Sequence, residues 1–194
     1  NGVVNLKTGD LLTHSSEYFF TRITPANFVS NAVHDDWEAA LKCLPSSVAA
    51  YMQIRLGQAI TGHIPDDDKN TFAVGGGENG KTTFITGLKS ALGSYLTFVP
   101  SKVLMGNKSD HPTEIMTLLG ARFAVIEELP EGSELPIAQL KRITGVKSLI
   151  ARRIGQNNQE FACTHSLLVT TNTLPTVSAF DHGTWRKLEV IEFP

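Results

Sequence analysis

Apolar and polar positions change their spacing several times along the chain. Short apolar runs flank Lys7-Thr8-Gly9-Asp10, so Val3 to Leu12 reads as a hairpin turning on a Gly-Asp signal. The spacing then becomes helical. Asp35 or Asp36 can cap a helix carrying Trp37, Ala40 and Leu41, which Pro45 ends, and a second helix runs from Ser46 to about Ile60 ahead of Gly62. His63 to Asn70, with three successive aspartates, forms a polar linker. Thr71-Phe72-Ala73-Val74 is β-prone, whereas Phe84, Leu88, Ala91 and Leu92 recur at helical spacing and Gly93 can end that helix. Ala121 to Ile126 and Ser166 to Thr171 have the continuous apolar, β-branched character of strands buried on both faces. The chain closes on one more strand. Strand, turn, helix and further buried strands predict an α/β domain with an open, mostly parallel central sheet, whose ligands sit beyond the carboxyl ends of the strands.

The turn between the first buried strand and its helix carries the most informative chemistry. Gly75-Gly76-Gly77-Glu78-Asn79-Gly80-Lys81-Thr82-Thr83 fits the pattern G-x-x-x-x-G-K-[ST] in the strand–loop–helix context that a phosphate-binding loop requires. Glycines let successive backbone N–H groups converge on phosphate oxygens, Lys81 reaches the terminal phosphates, and the Thr82 hydroxyl can ligate Mg²⁺. The helix that follows turns its positive end toward the same anion. The implied ligands are ATP and Mg²⁺.

Two later strand ends carry matching side chains. The run ending at Ile126 continues into Glu127-Glu128. One carboxylate there can hold Mg²⁺ and the next can polarise an attacking water; a lone pair is more often a solvated acidic strand end or helix cap, and the phosphate loop before it reverses that balance. The strand ending at Thr171 closes on Asn172, whose amide can orient the lytic water and sense the γ-phosphate, although Asn before a Leu-Pro pair is also ordinary turn chemistry.

Taken in order, GGGENGKTT, ARFAVIEEL, LLVTTN and Asp181-His182-Gly183-Thr184-Trp185-Arg186 resemble the superfamily 3 helicases, more narrowly the helicase part of phage and plasmid primase-helicases. The opening NGVVNLKTGDLL, the Trp37 helix and RLGQAITGH are similar to that family as well, so the resemblance covers nearly the whole chain. It implies an AAA+-like P-loop NTPase in which Lys81 and Thr82 contact phosphate and Mg²⁺, Glu127 and Glu128 form the acidic pair, and Asn172 is the polar sensor. It places Arg186 as an arginine finger reaching into a neighbouring subunit's nucleotide, a contact that can be worth roughly 10³–10⁵ in rate. The family often has a second arginine next, where this chain has Lys187. The resemblance further implies a helix and a hairpin between the second and third motifs that grip nucleic acid. Here the segment KRITGVKSLIARR carries Lys141, Arg142, Lys147, Arg152 and Arg153 without an acidic residue, a composition suited to phosphate contacts and also found on solvated faces. The family's Gly-Gly-Asp turn reads Gly145-Val146-Lys147.

Composition bounds these readings. The 194 residues, 41% hydrophobic and 19% charged, suffice for one α/β domain with an appendage. A net charge of −2, from 17 basic and 19 acidic residues, gives no overall basic footprint, so nucleic acid would be met by a local patch. Cys43 and Cys163 stand far apart with no clustered His, which argues against a zinc site, and His34-Asp35-Asp36 and Asp66-Asp67-Asp68 read as exposed acidic loops rather than metal ligands. No apolar run approaches a membrane span, so a cytoplasmic protein is expected. The organisation expected is a hairpin and connecting segment over residues 1–30, a small helical subdomain over 31–68 and the ATPase core over 69–194. The whole reads as an ATP-driven DNA helicase module that assembles with itself, as a hexamer, around single-stranded DNA, with a primase domain upstream in the longer protein. Two other classes fit the loop alone: a nucleotide-switched replication scaffold that does not unwind, and a small-molecule kinase.

Overall fold

The buried runs pair with one another as a single five-stranded sheet. The structure, a computed structural model, describes residues 1–106, 112–178 and 181–194. In chain order its elements are β1 (Val3–Val4), β2 (Leu11–Leu12), α1 (Asp35–Leu41), α2 (Ser46–Ile60), β3 (Asn70–Val74), α3 (Lys81–Leu92), β4 (Leu96–Phe98), α4 (Lys102–Met105), β5 (Phe123–Glu127), α5 (Ile137–Ile143), β6 (Ser148–Ala151), β7 (Gln159–Ala162), β8 (Ser166–Thr171), α6 (His182–Trp185) and β9 (Leu188–Glu192). The sheet order is β4-β5-β8-β3-β9. All its neighbours run parallel.

Alternation along the buried strands divides the apolar side chains between the two faces of the sheet. Phe72, Ala124, Ile126, Leu167 and Val169 join α4, α5 and the β6–β7 hairpin in one cluster, through Val103, Leu104, Leu140, Ile143, Leu149 and Phe161. Ala73, Phe123, Val125, Leu168 and Ile191 face the other way, into a cluster with Met52, Leu56 and Ala59 of α2 and Phe84, Ile85 and Leu88 of α3. Burial on both faces is why these strands read as continuous apolar runs. Trp37 of α1 stacks on Phe84 with ring centroids 5.3 Å apart, which seats the first helix against α3.

Local signals resolve in instructive ways. β1 and β2 pair antiparallel across the Lys7–Asp10 turn. Gly93, at φ 56°, caps α3 in a conformation that favours glycine. The start of α1 differs from expectation: His34 is its N-cap, and Asp35 and Asp36 lie inside the first turn, where carboxylates favour the positive helix end without capping it. The linker before β3 is anchored rather than loose, since Asp67 pairs with Arg55 at 3.0 Å and Asp68 with Lys187 at 3.0 Å. Both cysteines are free, Cys43 exposed and Cys163 buried. Among the described residues no helix is long and apolar enough to cross a membrane.

Candidate functional site

β3 delivers its chain to the carboxyl end of the sheet, and residues 75–80 turn there into α3. Two left-handed residues make the turn, Glu78 at φ 63° and Gly80 at φ 85°. Backbone and side-chain bonds hold it. The Gly75 N–H donates to Thr171 O at 3.3 Å. Asn79 Nδ2 donates to Phe193 O at 2.9 Å, and Lys81 Nζ donates to Gly75 O at 2.5 Å, Gly76 O at 3.0 Å and Asn79 Oδ1 at 3.0 Å. Asn79 is thus a structural tie between the loop and the residue following β9, a role its place in the motif does not reveal. Burial pulls the Lys81 ammonium below the ordinary lysine range.

The glycines of the loop are not equivalent. A Cβ on Gly75 would lie 2.0 Å from Asn79 Nδ2 and 2.3 Å from Phe193 O, whereas one on Gly76 or Gly77 meets nothing within 4 Å. Gly75→Ala is therefore expected to lower unfolding free energy by about 1–3 kcal/mol through overpacking. Gly77→Ala should stay within about 0.5 kcal/mol. Urea titrations of the two variants check the difference.

Beyond the strand ends lies a cleft of about 660 Å³, lined by Gly76 to Thr83, Ile85, Glu127, Glu128, Thr170, Thr171 and Asn172. Parallel pairing of β5 with β8 and of β8 with β3 sets the three strand ends side by side, which is what unites these distant residues. Glu127 is the last residue of β5, and Glu128 follows at φ 57°, a conformation few residues other than glycine adopt, with its N–H donating to Thr170 O at 2.8 Å. That kink holds the second carboxylate across the end of β8 instead of letting β5 continue. Strain of this kind persists where the surroundings over-determine it and concentrates at functional positions. Thr170 and Thr171 also line the cleft, though in sequence they read only as strand.

The donor set suits Mg²⁺. The Thr82 and Glu127 side chains offer hard oxygen donors, and both residues line one cleft. Among the described residues no group of three or more His, Cys, Asp or Glu could hold a metal alone. Few protein ligands supplemented by substrate phosphates is the usual mode for this ion.

Arg186 is not in the cleft. It follows α6, whose cap is Asp181: Oδ1 accepts from the Thr184 N–H at 2.9 Å and Oδ2 from the Thr184 hydroxyl at 2.7 Å. The Thr184 hydroxyl bond, with a smaller contribution from Lys141, holds the Asp181 carboxyl below its ordinary range. Arg186 reaches Asp68 Oδ2 only at 3.9 Å with 59% of its side chain exposed, so this pair contributes little. Trp185 beside it is 52% exposed. Lys187, by contrast, is mostly buried and paired with Asp68, which gives it a structural task.

The basic run is spread over several places, none of them in the cleft. Lys141 and Arg142 sit in the last turn of α5 and Lys147 just before β6, while Arg152 and Arg153 lie in the exposed loop of the β6–β7 hairpin. That loop also carries Ile154, 89% exposed, which charge counting could not single out.

A family model described as a family of unknown function, DUF5906, matches residues 73–187, from β3 through the whole cleft to Lys187. The chain belongs to this family. The preceding residues 1–45 match the model described as D5 N terminal like. The DUF5906 chain is 31% identical over 129 residues to "Putative helicase 022R" of Frog virus 3 (isolate Goorha), covering 63% of this chain and 13% of that protein. It is 28% identical over 119 residues to "Putative primase C962R" of African swine fever virus (isolate Warthog/Namibia/Wart80/1980), covering 59% and 12%. The chain thus spans about an eighth of the length of the viral relatives it matches. Among solved structures, the apo C-terminal region of NrS-1 superposes with a TM-score of 0.63 at 14% identity, over 84% of this chain and 38% of the other. JCV helicase superposes at 0.51 and 18% identity, over 84% and 46%. At such identities the likeness is one of fold.

Proposed function

We propose that this chain is the ATP-hydrolysing motor module of a larger replication protein of the primase-helicase kind, a superfamily 3 helicase acting on single-stranded DNA. The observation that carries the reading is the single cleft in which the phosphate loop, the Glu127-Glu128 pair and Asn172 meet. The names of the viral relatives, helicase and primase, agree with it. In this reading residues 31–68 form the helical subdomain that supports subunit contacts, and 69–194 the motor core.

The chemistry follows from charge. Backbone N–H groups at the start of α3 and the Lys81 ammonium receive the β- and γ-phosphates of ATP. Thr82 and Glu127 would hold Mg²⁺, which would neutralise charge on the phosphate oxygens. Glu128 accepts the proton of the attacking water, and Asn172 orients that water by its amide. Among the described residues of one chain, Lys81 is the only cation lining the cleft, against three glutamates, Glu78, Glu127 and Glu128, so charge developing on the γ-phosphate calls for a further cation. Arg186, exposed and weakly paired, supplies it from a neighbouring copy, which makes a ring, as a hexamer, the working form. The hairpin loop turns Arg152 and Arg153 toward the DNA backbone in the channel of that ring.

ATP turnover measured with and without single-stranded oligonucleotide tests the reading. Stimulation by the strand is expected. A P-loop kinase would instead show turnover indifferent to DNA, and a switch scaffold would bind nucleotide without turnover. Reversing Lys147 and Arg152 to glutamate should weaken strand affinity and reduce the salt slope by about one for each phosphate left without its cation. An unchanged slope would assign the basic run to solvent.

A further inference from the structure

Cations converge at a place that the ATPase chemistry does not use. A cavity of about 380 Å³ opens along β4, the edge strand of the sheet, with Arg22, Lys89, Arg153, Thr97, Phe98 and Thr117 in its lining and no carboxylate there among the described residues. It is assembled from four distant parts of the chain: the extended segment before α1, the end of α3, β4 with the turn before β5, and the hairpin loop.

Two of its cations are fixed by backbone. Arg22 donates through Nη1 to Ser94 O and through Nη2 to Leu119 O at 2.6 Å. Lys89 Nζ donates to Gly93 O at 2.9 Å and Leu96 O at 2.7 Å. A guanidinium has five N–H donors and an ammonium three, so both keep donors for a further acceptor while carbonyls hold them in place. Arg153 enters from the hairpin loop and is exposed. Phe98 adds a different element: it is 42% exposed, with Lys89 Nζ 5.9 Å from its ring centroid. Preset cations beside an open aromatic face are the two features by which proteins hold single-stranded nucleic acid, one for the backbone and one for the bases. The volume, near the lower end for small-ligand cavities, suits one nucleotide unit rather than a duplex.

We propose that this cavity is a second contact for single-stranded nucleic acid, in which Arg22, Lys89 and Arg153 hold one backbone phosphate while a neighbouring base stacks on Phe98. It rests on the reading of the chain as a nucleic-acid motor. Because Arg153 belongs both to the hairpin loop and to this cavity, a strand gripped by the loop can continue to the sheet edge.

The test uses the purified chain and an oligothymidylate carrying a single 5-iodouracil. Near-ultraviolet irradiation followed by peptide mapping is expected to place a cross-link at Phe98, and Phe98→Ala should weaken oligonucleotide binding by about 5- to 10-fold while ATP affinity stays unchanged. Cross-links confined to residues 154–158, with undiminished binding by Phe98→Ala, would overturn this contact and leave the motor reading standing. Failure of the unaltered chain to bind the oligonucleotide at all would sink both. Competition by free thymidylate at concentrations equal to the oligonucleotide would make the cavity a mononucleotide site and likewise overturn the proposal. The cross-link is read on the unaltered chain, so the result holds even where the variant folds poorly.

Discussion

Glu128→Gln is expected to bind ATP as the unaltered chain does and to lose turnover by about 10²–10⁴-fold, the range that a positioned general base contributes. The substitution keeps the length and shape of the side chain and leaves the left-handed backbone at this position with its N–H bond to Thr170. What it removes is the carboxylate proposed to accept the proton of water. Lys81→Ala should behave in the opposite way. Its ammonium is the only cation among the described residues lining the cleft, so its loss should weaken ATP binding by about 10- to 100-fold, the worth of a charged hydrogen bond. Calorimetric titration with ATP and single-turnover hydrolysis separate the two effects. Equal loss of binding in both variants would refute the division of labour between them.

Arg186→Ala is expected to lower turnover by about 10³–10⁵-fold, as removal of an arginine finger does, with little change in stability. The stability part follows from its exposed side chain and its long contact to Asp68. Mixing Arg186→Ala with Glu128→Gln should then recover part of the activity. At a border where an Arg186→Ala copy supplies the cleft and a Glu128→Gln copy supplies the arginine, both groups are intact. Mixtures shown by native mass measurement to co-assemble, yet remaining inactive, would rule out a shared site. Lys187→Ala is a useful contrast, because its partly buried pair with Asp68 ties the start of β3 to the start of β9, and its effect should fall on stability first.

The parts of this molecule that were legible in its residues are those specified by local rules. α2 occupies Ser46–Ile60 because apolar spacing and the preceding Pro45 define it, and α3 ends at Gly93 because a positive φ suits glycine there. β8 is Ser166–Thr171 because a six-residue run buried on both faces admits few other structures. β4 was not legible. Three residues, Leu96–Phe98, follow a helix end with only Leu96 fully buried, too short a pattern for either period. The same holds for the tie from Asn79 to Phe193 and the pair from Asp68 to Lys187, each joining residues more than 100 positions apart.

Sequence by itself determined the kind of chemistry: a loop whose glycines and lysine suit phosphate, two carboxylates at one strand end and an amide at another. Tertiary structure decided their company. Only the strand order β4-β5-β8-β3-β9 sets the ends of β5, β8 and β3 next to one another, and only folding leaves Arg186 outside that cleft, Lys187 inside an ion pair and the basic run distributed between α5 and the hairpin. The physical reason is range. Backbone conformation and hydrogen-bonding capacity belong to neighbouring residues, whereas the convergence of charges depends on which strands pair and which faces are buried, and those choices are made by the whole apolar core at once.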